Sequence, residues 1–135
     1  MPPAVLVDSN VILDVATEDP RWMAWSEDAL ARAADESVLV INPLIYAEVS
    51  IGFVSVEQLD ELLPEGLFRH DPLPFDAAFL AGKAFLAYRR RGGGKGKPLP
   101  DFYIGAHAAV AGLRLLTRDP KRYRTYFPTV DIIAP

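Results

Sequence analysis

Short apolar runs alternate along this chain with longer segments whose apolar residues recur at helical spacing. The short runs are rich in Val, Leu and Ile and too short for helices, so we interpret them as strands. Strands are predicted at residues 4–7, 38–41, 67–70, 115–117 and 130–133, and helices at 11–15, 20–35, 43–51, 55–63, 76–90, 101–112 and 120–126. This alternation predicts an α/β fold with three layers: a mainly parallel central sheet between helices.

Several helix ends carry recognisable signals. Asp19-Pro20 and Asn42-Pro43 each place a capping residue before a proline, which is typical of a helix start. Ser55 is followed three residues later by Gln58, the pattern of a capping box. Gly112 is expected to end the helix that begins at Asp101.

Composition narrows the class of protein. The chain has 135 residues, enough for one domain over residues 1–135. It contains 0 cysteines and 2 histidines, which excludes disulfides and thiolate metal sites and leaves oxygen atoms as the main available metal ligands. No apolar run is long enough to cross a membrane and no signal peptide is evident, so we expect a cytoplasmic protein without a membrane partner.

Charge is divided unevenly along the chain. Residues 1–88 hold 15 acids and 4 bases, whereas residues 89–124 hold 2 acids and 10 bases. The most basic stretch is the glycine-rich loop that begins at the end of the helix at 76–90. Its positive side chains are Arg89, Arg90, Arg91, Lys95 and Lys97. A basic loop of this kind can bind a polyanion through its phosphates, although a solvated linker has the same composition.

Four acids follow predicted strands or lie on neighbouring helices. Asp8 and Asp119 follow the first and fourth strands, so they are expected at the carboxyl edge of the sheet, where ligands bind in such folds. Glu48 lies on the helix after the second strand, and Asp101 opens a later helix. Carboxylates that converge repel one another unless a cation lies between them, and oxygen ligands favour Mg²⁺ or Mn²⁺. Each acid alone is equally compatible with a structural role, such as a helix cap.

Three further polar residues are interpreted as structural. Asp14 lies one helical turn after Asn10 and could face either the pocket or solvent. His107 is not on the same helix face as Asp101, because six residues correspond to 240° around the helix. His70 is likewise assigned no catalytic role.

The acidic segments resemble the motifs of PIN domains. Val-Leu-Val-Asp8-Ser-Asn10 is similar to the opening of that family, and Asn42-Pro-Leu-Ile-Tyr-Ala-Glu48 to its second acidic motif. Pro100-Asp101-Phe-Tyr-Ile-Gly-Ala-His resembles the third motif, and Leu115-Leu-Thr117-Arg-Asp119 the fourth. Their order and spacing match over essentially the whole chain, and the size is similar to that of VapC-type toxins from toxin–antitoxin pairs.

The resemblance implies an Mg²⁺- or Mn²⁺-dependent endoribonuclease whose toxicity a cognate antitoxin neutralises. It implies that Asp8, Glu48, Asp101 and Asp119 form a catalytic metal site, with Asp8 and Asp101 as the most direct ligands. Asn10 is expected to orient Asp8, and Thr117 to bond within the acidic cluster. The sequence does not identify the RNA or the number of metal ions.

The resemblance also implies protein partners. The stretch at 43–63 holds more apolar residues than one buried face requires, which suits an antitoxin-binding groove or an ordinary core. A homodimer is implied by the family alone. The main alternative is another metal-dependent phosphoesterase or nuclease on a similar sheet. A receiver-like signalling domain is disfavoured because Asp8 has no acidic neighbour, and a binding-only PIN fold because the acid set is complete.

Overall fold

The computed structural model describes residues 2–94 and 99–135. The strands are β1 (Val5–Val7), β2 (Leu39–Ile41), β3 (Phe68–His70), β4 (Arg114–Leu116) and β5 (Ile132–Ile133). The helices are α1 (Ser9–Ala16), α2 (Met23–Glu36), α3 (Pro43–Ser50), α4 (Val56–Leu62), α5 (Phe75–Arg90), α6 (Pro100–Ala111) and α7 (Lys121–Tyr126). The predicted α/β class is confirmed, and every predicted strand and helix is present with shifted ends.

The five strands form one parallel sheet in the order β3-β2-β1-β4-β5. From β1 the chain moves outward to β2 and β3, then returns across the sheet to β4 and β5. Right-handed crossovers place α1–α4 on one face and α5–α7 on the other. The packing agrees, because α1 contacts α2 and α3, whereas α6 contacts α5 and α7. The three predicted layers are therefore confirmed.

The core lies on both faces of the central strands. All residues of β1 and β2 are buried, as expected for parallel strands covered by helices on each side. Phe102 and Ile104 of α6 are fully buried in the same core, and Tyr123 of α7 is 1% exposed. None of the helices within residues 2–94 and 99–135 is long and apolar enough to span a membrane.

Most predicted helix ends are confirmed in detail. The Asn42 side chain accepts a hydrogen bond from the amide of Ile45, and Ser55 accepts one from Gln58. Gly112 ends α6 in the left-handed conformation, with φ of 66°. The predicted start at Asp19-Pro20 is wrong, because Asp19 accepts bonds from the amides of Arg21 and Trp22 in a turn and α2 begins at Met23.

Strand order explains where a site can form. β1 and β4 are neighbours, but the connections from them run toward opposite edges of the sheet. Such a switch of direction opens a crevice at the carboxyl ends of the two strands. Asp8 directly follows β1 and Thr117 directly follows β4, so both stand at this crevice.

Candidate active site

Asp8 is held at the crevice by hydrogen bonds to both of its carboxylate oxygens. It caps α1, since Oδ1 accepts a bond of 2.8 Å from the amide of Ser9. Oδ2 accepts from the hydroxyls of Thr117 and Tyr123, each at 2.9 Å. The residue is only 4% exposed, so these bonds replace most of the water that an aspartate normally contacts.

Burial raises the pKa of Asp8 from 3.8 to about 6. Desolvation of the charged form is the largest cause, and the negative charge of Asp101 acts in the same direction. The hydrogen bonds from Thr117, Tyr123 and the Ser9 amide partly oppose this shift, because they stabilise the ionised carboxylate. Asp8 is therefore ionised near neutral pH, but its burial makes the ionised form less favourable in free energy. A nearby cation would offset this desolvation free energy.

Glu48 approaches the crevice from α3 and is connected to the end of β1 through Ser9. The Ser9 hydroxyl donates a bond of 3.1 Å to Glu48 Oε1. The pKa of Glu48 is raised, mainly by burial and further by the charges of Asp8 and Asp101, while the bond from Ser9 lowers it. The effect of Asp8 and Asp101 on the pKa of Glu48 indicates that Glu48 lies in the region of negative potential that these two carboxylates create.

Asp101 lies in the first turn of α6, one residue after Pro100. Its Oδ2 accepts a bond of 3.0 Å from Nη1 of Arg122, and its Oδ1 lies 3.3 Å from the Tyr123 hydroxyl. Arg122 and Tyr123 both belong to α7. The packing of α7 against α6 thus places one cation and one hydroxyl beside Asp101.

Asn10, Thr117 and Asp119 link the ends of the two neighbouring strands through hydrogen bonds. The two hydrogens of Asn10 Nδ2 face three acceptors at 3.3–3.4 Å: Asp8 Oδ2, Thr117 Oγ1 and Asp119 Oδ2. Thr117 Oγ1 also accepts from the amide of Asp119 at 3.1 Å. The side chain of Asp119 is 71% exposed, so this acid lies at the mouth of the crevice.

Tyr123 is a residue of the site that the sequence analysis missed. Its single proton is donated to Asp8 Oδ2 at 2.9 Å in preference to Asp101 Oδ1 at 3.3 Å. Burial, together with the charges of Asp8 and Asp101, raises the pKa of its hydroxyl well above 10. A signal was present, since Tyr123, Tyr126 and Phe127 stand at helical spacing and mark the inward face of α7.

In the described part of the chain, no three acids or histidines are arranged with their ligand atoms around a common point. Each carboxylate instead accepts hydrogen bonds from other side chains. Arg122 donates to Asp101, and Ser9 donates to Glu48. The hydroxyls of Thr117 and Tyr123 donate to Asp8. The donor set nevertheless fits a hard divalent cation, since it consists of carboxylate oxygens around the buried Asp8.

The residues interpreted as structural do lie outside the acidic crevice. The ring of His107 is 1% exposed and accepts a bond of 3.0 Å from Asn42 Nδ2 at Nδ1, and burial lowers its pKa. His70 Nε2 lies 2.9 Å from the carbonyl of Leu63. Asp14 faces neither the pocket nor solvent, because it is buried and accepts from Ser26 and from Arg118 at 2.8 Å each.

Only part of the predicted basic surface can be located. Arg89 and Arg90 end α5 and are exposed, and Arg91 follows them. Arg91 lines an open groove of about 730 Å³ together with Asp101 and Asp119. Lys95 and Lys97 lie outside the described residues.

The apolar stretch at 43–63 divides between core and surface. Ile45, Val49 and Leu59 are buried in the core. Ile51 and Val54 are 87% and 95% exposed at the turn between α3 and α4. The stretch therefore contributes to an ordinary core, and the exposed residues leave the antitoxin-binding groove a prediction.

Comparisons with known proteins concern the fold. Chains of three solved structures share it. VapBC2 from Rickettsia felis, bound to a DNA fragment from their promoter, gives a TM-score of 0.74 at 17% identity and covers 98% of each chain. FitAcB from Neisseria gonorrhoeae gives 0.68 at 21% identity over 96% of each chain. VapBC-1 from nontypeable Haemophilus influenzae gives 0.71 at 18% identity over 97% of each chain.

No protein in the curated set matches the chain. The family comparison is more direct, because residues 5–128 match the model of the PIN domain. This range begins at β1, ends after α7 and contains all four predicted acids. The chain therefore belongs to the PIN domain family.

Proposed function

We propose that this protein is a metal-dependent endoribonuclease that acts as the toxin of a toxin–antitoxin pair. The observation that carries the proposal is the convergence of Asp8, Glu48 and Asp101 at the crevice beside β1. The Tyr123 hydroxyl lies within hydrogen-bond distance of both Asp8 and Asp101, and Ser9 donates to both Asp8 and Glu48. Membership of the PIN domain family supports a nuclease-type activity. Solved complexes that contain a chain of similar fold include VapBC pairs and a toxin–antitoxin complex from Klebsiella pneumoniae, which supports the toxin role.

We propose that Asp8, Glu48, Asp101 and Asp119 hold Mg²⁺ or Mn²⁺ and are the catalytic residues. When bound, the cation supplies Lewis-acid chemistry, which polarises the scissile phosphate and acidifies water. Hydrolysis bonds the water oxygen to phosphorus, breaks a bond from phosphorus to a ribose oxygen, and leaves a proton on that ribose oxygen.

The neighbouring residues stabilise the ionised acids and orient their side chains. Hydroxyl donors at Thr117 and Tyr123 favour the ionised form of Asp8. Asn10 holds Asp8 and Asp119 on the two sides of the β1–β4 crevice. Arg122 compensates the charge of Asp101 in the absence of metal. These contacts hold the acids beside the crevice, and a cation would draw their oxygens together around it.

We further propose that the basic run at 89–97 attracts the RNA. Arg89, Arg90, Arg91, Lys95 and Lys97 give affinity without sequence preference, because they interact with phosphate charge. Lys95 and Lys97 are included on the basis of the sequence alone. The choice of RNA over DNA rests on the resemblance to VapC-type toxins.

The proposed protein partner is a cognate antitoxin that covers exposed apolar side chains near α3 and α4. Ile51, Val54 and Val56 are exposed in this region, and such residues gain most by association. We also propose that the protein forms a homodimer and acts in the cytoplasm.

A cleavage assay tests the proposed activity. Purified protein is mixed with structured and unstructured RNAs in Mg²⁺, in Mn²⁺ and in EDTA, beside Asp8→Asn. Asp35→Asn is the matched control, because Asp35 is exposed on α2 just before the amino end of β2. We expect metal-dependent cleavage by the wild type and Asp35→Asn, and a loss of at least about 100-fold in Asp8→Asn.

A second arm separates the alternative phosphoesterase function. Bis(p-nitrophenyl) phosphate reports hydrolysis of a small diester under the same conditions. If the protein hydrolyses this diester but cleaves no RNA, the result favours a small-molecule phosphoesterase over the proposed endoribonuclease. No metal-dependent hydrolysis of either substrate by the folded protein would refute both.

A further inference from the structure

An open groove of about 730 Å³ lies between the C-terminal end of α5 and helix α7. Asp101 and Asp119 line one part of it, so the groove leads directly to the acidic crevice. Arg91, Lys121 and Arg122 line other parts. A polyanion lying in this groove would therefore contact cations and end at the carboxylates.

Aromatic rings fix two of these cations in place. The guanidinium of Arg122 lies 5.4 Å from the ring centroid of Tyr88 and 5.7 Å from that of Phe102. The guanidinium of Arg91 lies 5.6 Å from the ring of Tyr126. Tyr88 and Tyr126 meet edge to face at 6.0 Å, so the two arginines rest on one aromatic cluster. Such cation–π contacts reduce the side-chain freedom that would be lost on binding a phosphate.

Arg122 retains donors for a ligand although it is paired with Asp101. Its Nη1 makes the bond of 3.0 Å to Asp101 Oδ2, whereas a guanidinium carries five N–H groups in a planar fork. The side chain is 34% exposed, so part of this fork reaches the groove. Arg122 can therefore bind a phosphate next to the carboxylate that is proposed to act on the neighbouring bond.

We propose that Arg91 and Arg122 are positioning residues that hold backbone phosphates of the RNA in this groove. The inference rests on the proposed nuclease function and deepens it. Because Arg122 lies over the ring of Tyr88 and Arg91 over that of Tyr126, the groove contacts the RNA through these cations rather than through base stacking. Arg91, Lys121 and Arg122 line the groove and contact the RNA directly. Arg89 and Arg90 lie outside the groove and attract the RNA over a longer distance.

Matched pairs of arginines provide the test. Arg122→Gln is compared with Arg124→Gln, which removes the same charge from an exposed position of α7 that does not line the groove. Arg91→Gln is compared with Arg32→Gln, which removes the same charge from an exposed position of α2 that does not line the groove. The full chain is titrated into a fluorescent 12-nucleotide single-stranded RNA in EDTA at several salt concentrations, and anisotropy gives Kd.

We expect Arg122→Gln and Arg91→Gln each to weaken binding roughly tenfold, the loss of one charge-assisted phosphate contact. Each should reduce the slope of log Kd against log salt by about 0.7, as expected for one phosphate on a single strand. The control variants should show clearly smaller changes in both quantities. Arg122→Lys keeps the charge and should preserve the salt slope while it weakens binding less than Arg122→Gln does.

Several outcomes would overturn the groove assignment. They are equal losses in each matched pair, absence of binding by the wild type, or equal displacement of the RNA by polyglutamate. The last would indicate an acidic peptide site.

The experiment distinguishes the groove from the proposed function because binding is measured without metal. Equal losses in the matched pairs, in a protein that cleaves RNA with Mg²⁺, refute the groove alone. Binding that depends on Arg91 and Arg122, in a protein that cleaves no RNA, refutes the nuclease alone.

Discussion

Burial of Asp8 makes the stability of the metal-free protein depend on pH. Its pKa is 3.8 in an exposed reference state and about 6 in the folded chain. Between these values the folded state keeps a proton that the unfolded state has lost. The free energy of unfolding therefore falls as pH rises through this window, and it levels off above about pH 7.

Asp8→Asn removes this titration while it nearly preserves the shape of the side chain. The shift corresponds to about 3 kcal/mol, so we expect the stability of the variant relative to the wild type to rise by about that amount between about pH 3 and pH 8. Below about pH 3 the difference should be constant, because the carboxyl is neutral in both states. Thermal unfolding in EDTA between about pH 2.5 and 8 measures it. A difference that does not move in favour of the variant as pH rises would contradict this prediction.

The Tyr123 hydroxyl is predicted to keep the pKa of Asp8 lower than burial alone would set it. Tyr123→Phe removes the donor that lies 2.9 Å from Asp8 Oδ2 and keeps the buried ring. We expect the pKa of Asp8 to rise above about 6, because the ionised form loses a hydrogen bond. Carboxyl ¹³C NMR titration of metal-free protein reports this value. Tyr103→Phe is the control, because Tyr103 lies on α6 and makes no hydrogen bond to Asp8. This variant should leave the pKa of Asp8 unchanged.

The polar network around Asp8 could be predicted from the sequence, except for some of its members. Asp8 and Thr117 follow strands, so the strand-end rule placed them at one edge of the sheet. Tyr123 lies between basic residues in a short helix, where its inward direction depends on how α7 packs. The position of Asp14 depended in the same way on tertiary contacts, because Arg118 reaches it across 104 positions of the chain.

At the scale of helices, two glycines are predicted to respond in opposite directions to the same substitution. A Cβ at Gly105 of α6 would clash with the buried ring of Phe127, whereas a Cβ at Gly82 of α5 meets nothing within 4 Å. Gly105→Ala should lower the free energy of unfolding by about 1–3 kcal/mol through overpacking. Gly82→Ala should raise it by about 0.5–1 kcal/mol, the usual gain in a helix interior. Urea unfolding measures both, and a Gly105→Ala protein as stable as Gly82→Ala would contradict the packing of α6 on Phe127.

Helix boundaries illustrate what local signals can and cannot decide. Asn42 and Ser55 were predicted as caps, and each accepts the expected amide bond. Asp19 has the same chemistry and also accepts amide bonds, but they close a turn three residues before α2. An aspartate before proline satisfies a turn and a helix equally well, so tertiary packing decides between them.

At the scale of the whole molecule, the alternation of elements indicated a parallel sheet but did not determine strand order. The order β3-β2-β1-β4-β5 makes β1 and β4 neighbours and pairs Leu6 with Leu115, although β2, β3 and the helices α1–α6 lie between them in the chain. This pairing brings Asp8 beside Thr117 and Asp119, and the return of α6 brings Asp101. The acidic site is therefore a property of the topology, which the family motifs indicated and the periodicity alone did not.

Clustering of carboxylates at this switch point leads to a prediction about metal and stability. A divalent cation that binds only the folded chain stabilises it by about 2.7 kcal/mol at a concentration of 100 Kd. For a chain of this size, we expect Mg²⁺ or Mn²⁺ to raise Tm by roughly 10 °C under those conditions. NaCl at matched ionic strength is the control for general screening.

Asp8→Asn gives this prediction its sharpest form, because its two effects have opposite signs. Without metal, the Tm of the variant should rise relative to that of the wild type between about pH 3 and pH 8, since the variant carries no buried charge. At pH 8, saturating Mn²⁺ should shift this difference back in favour of the wild type, because the wild type gains a ligand that the variant holds weakly. Asp35→Asn should follow the wild type in both conditions. Melting curves that rise equally with Mn²⁺ in all three proteins would place the cation elsewhere and remove Asp8 from the metal site.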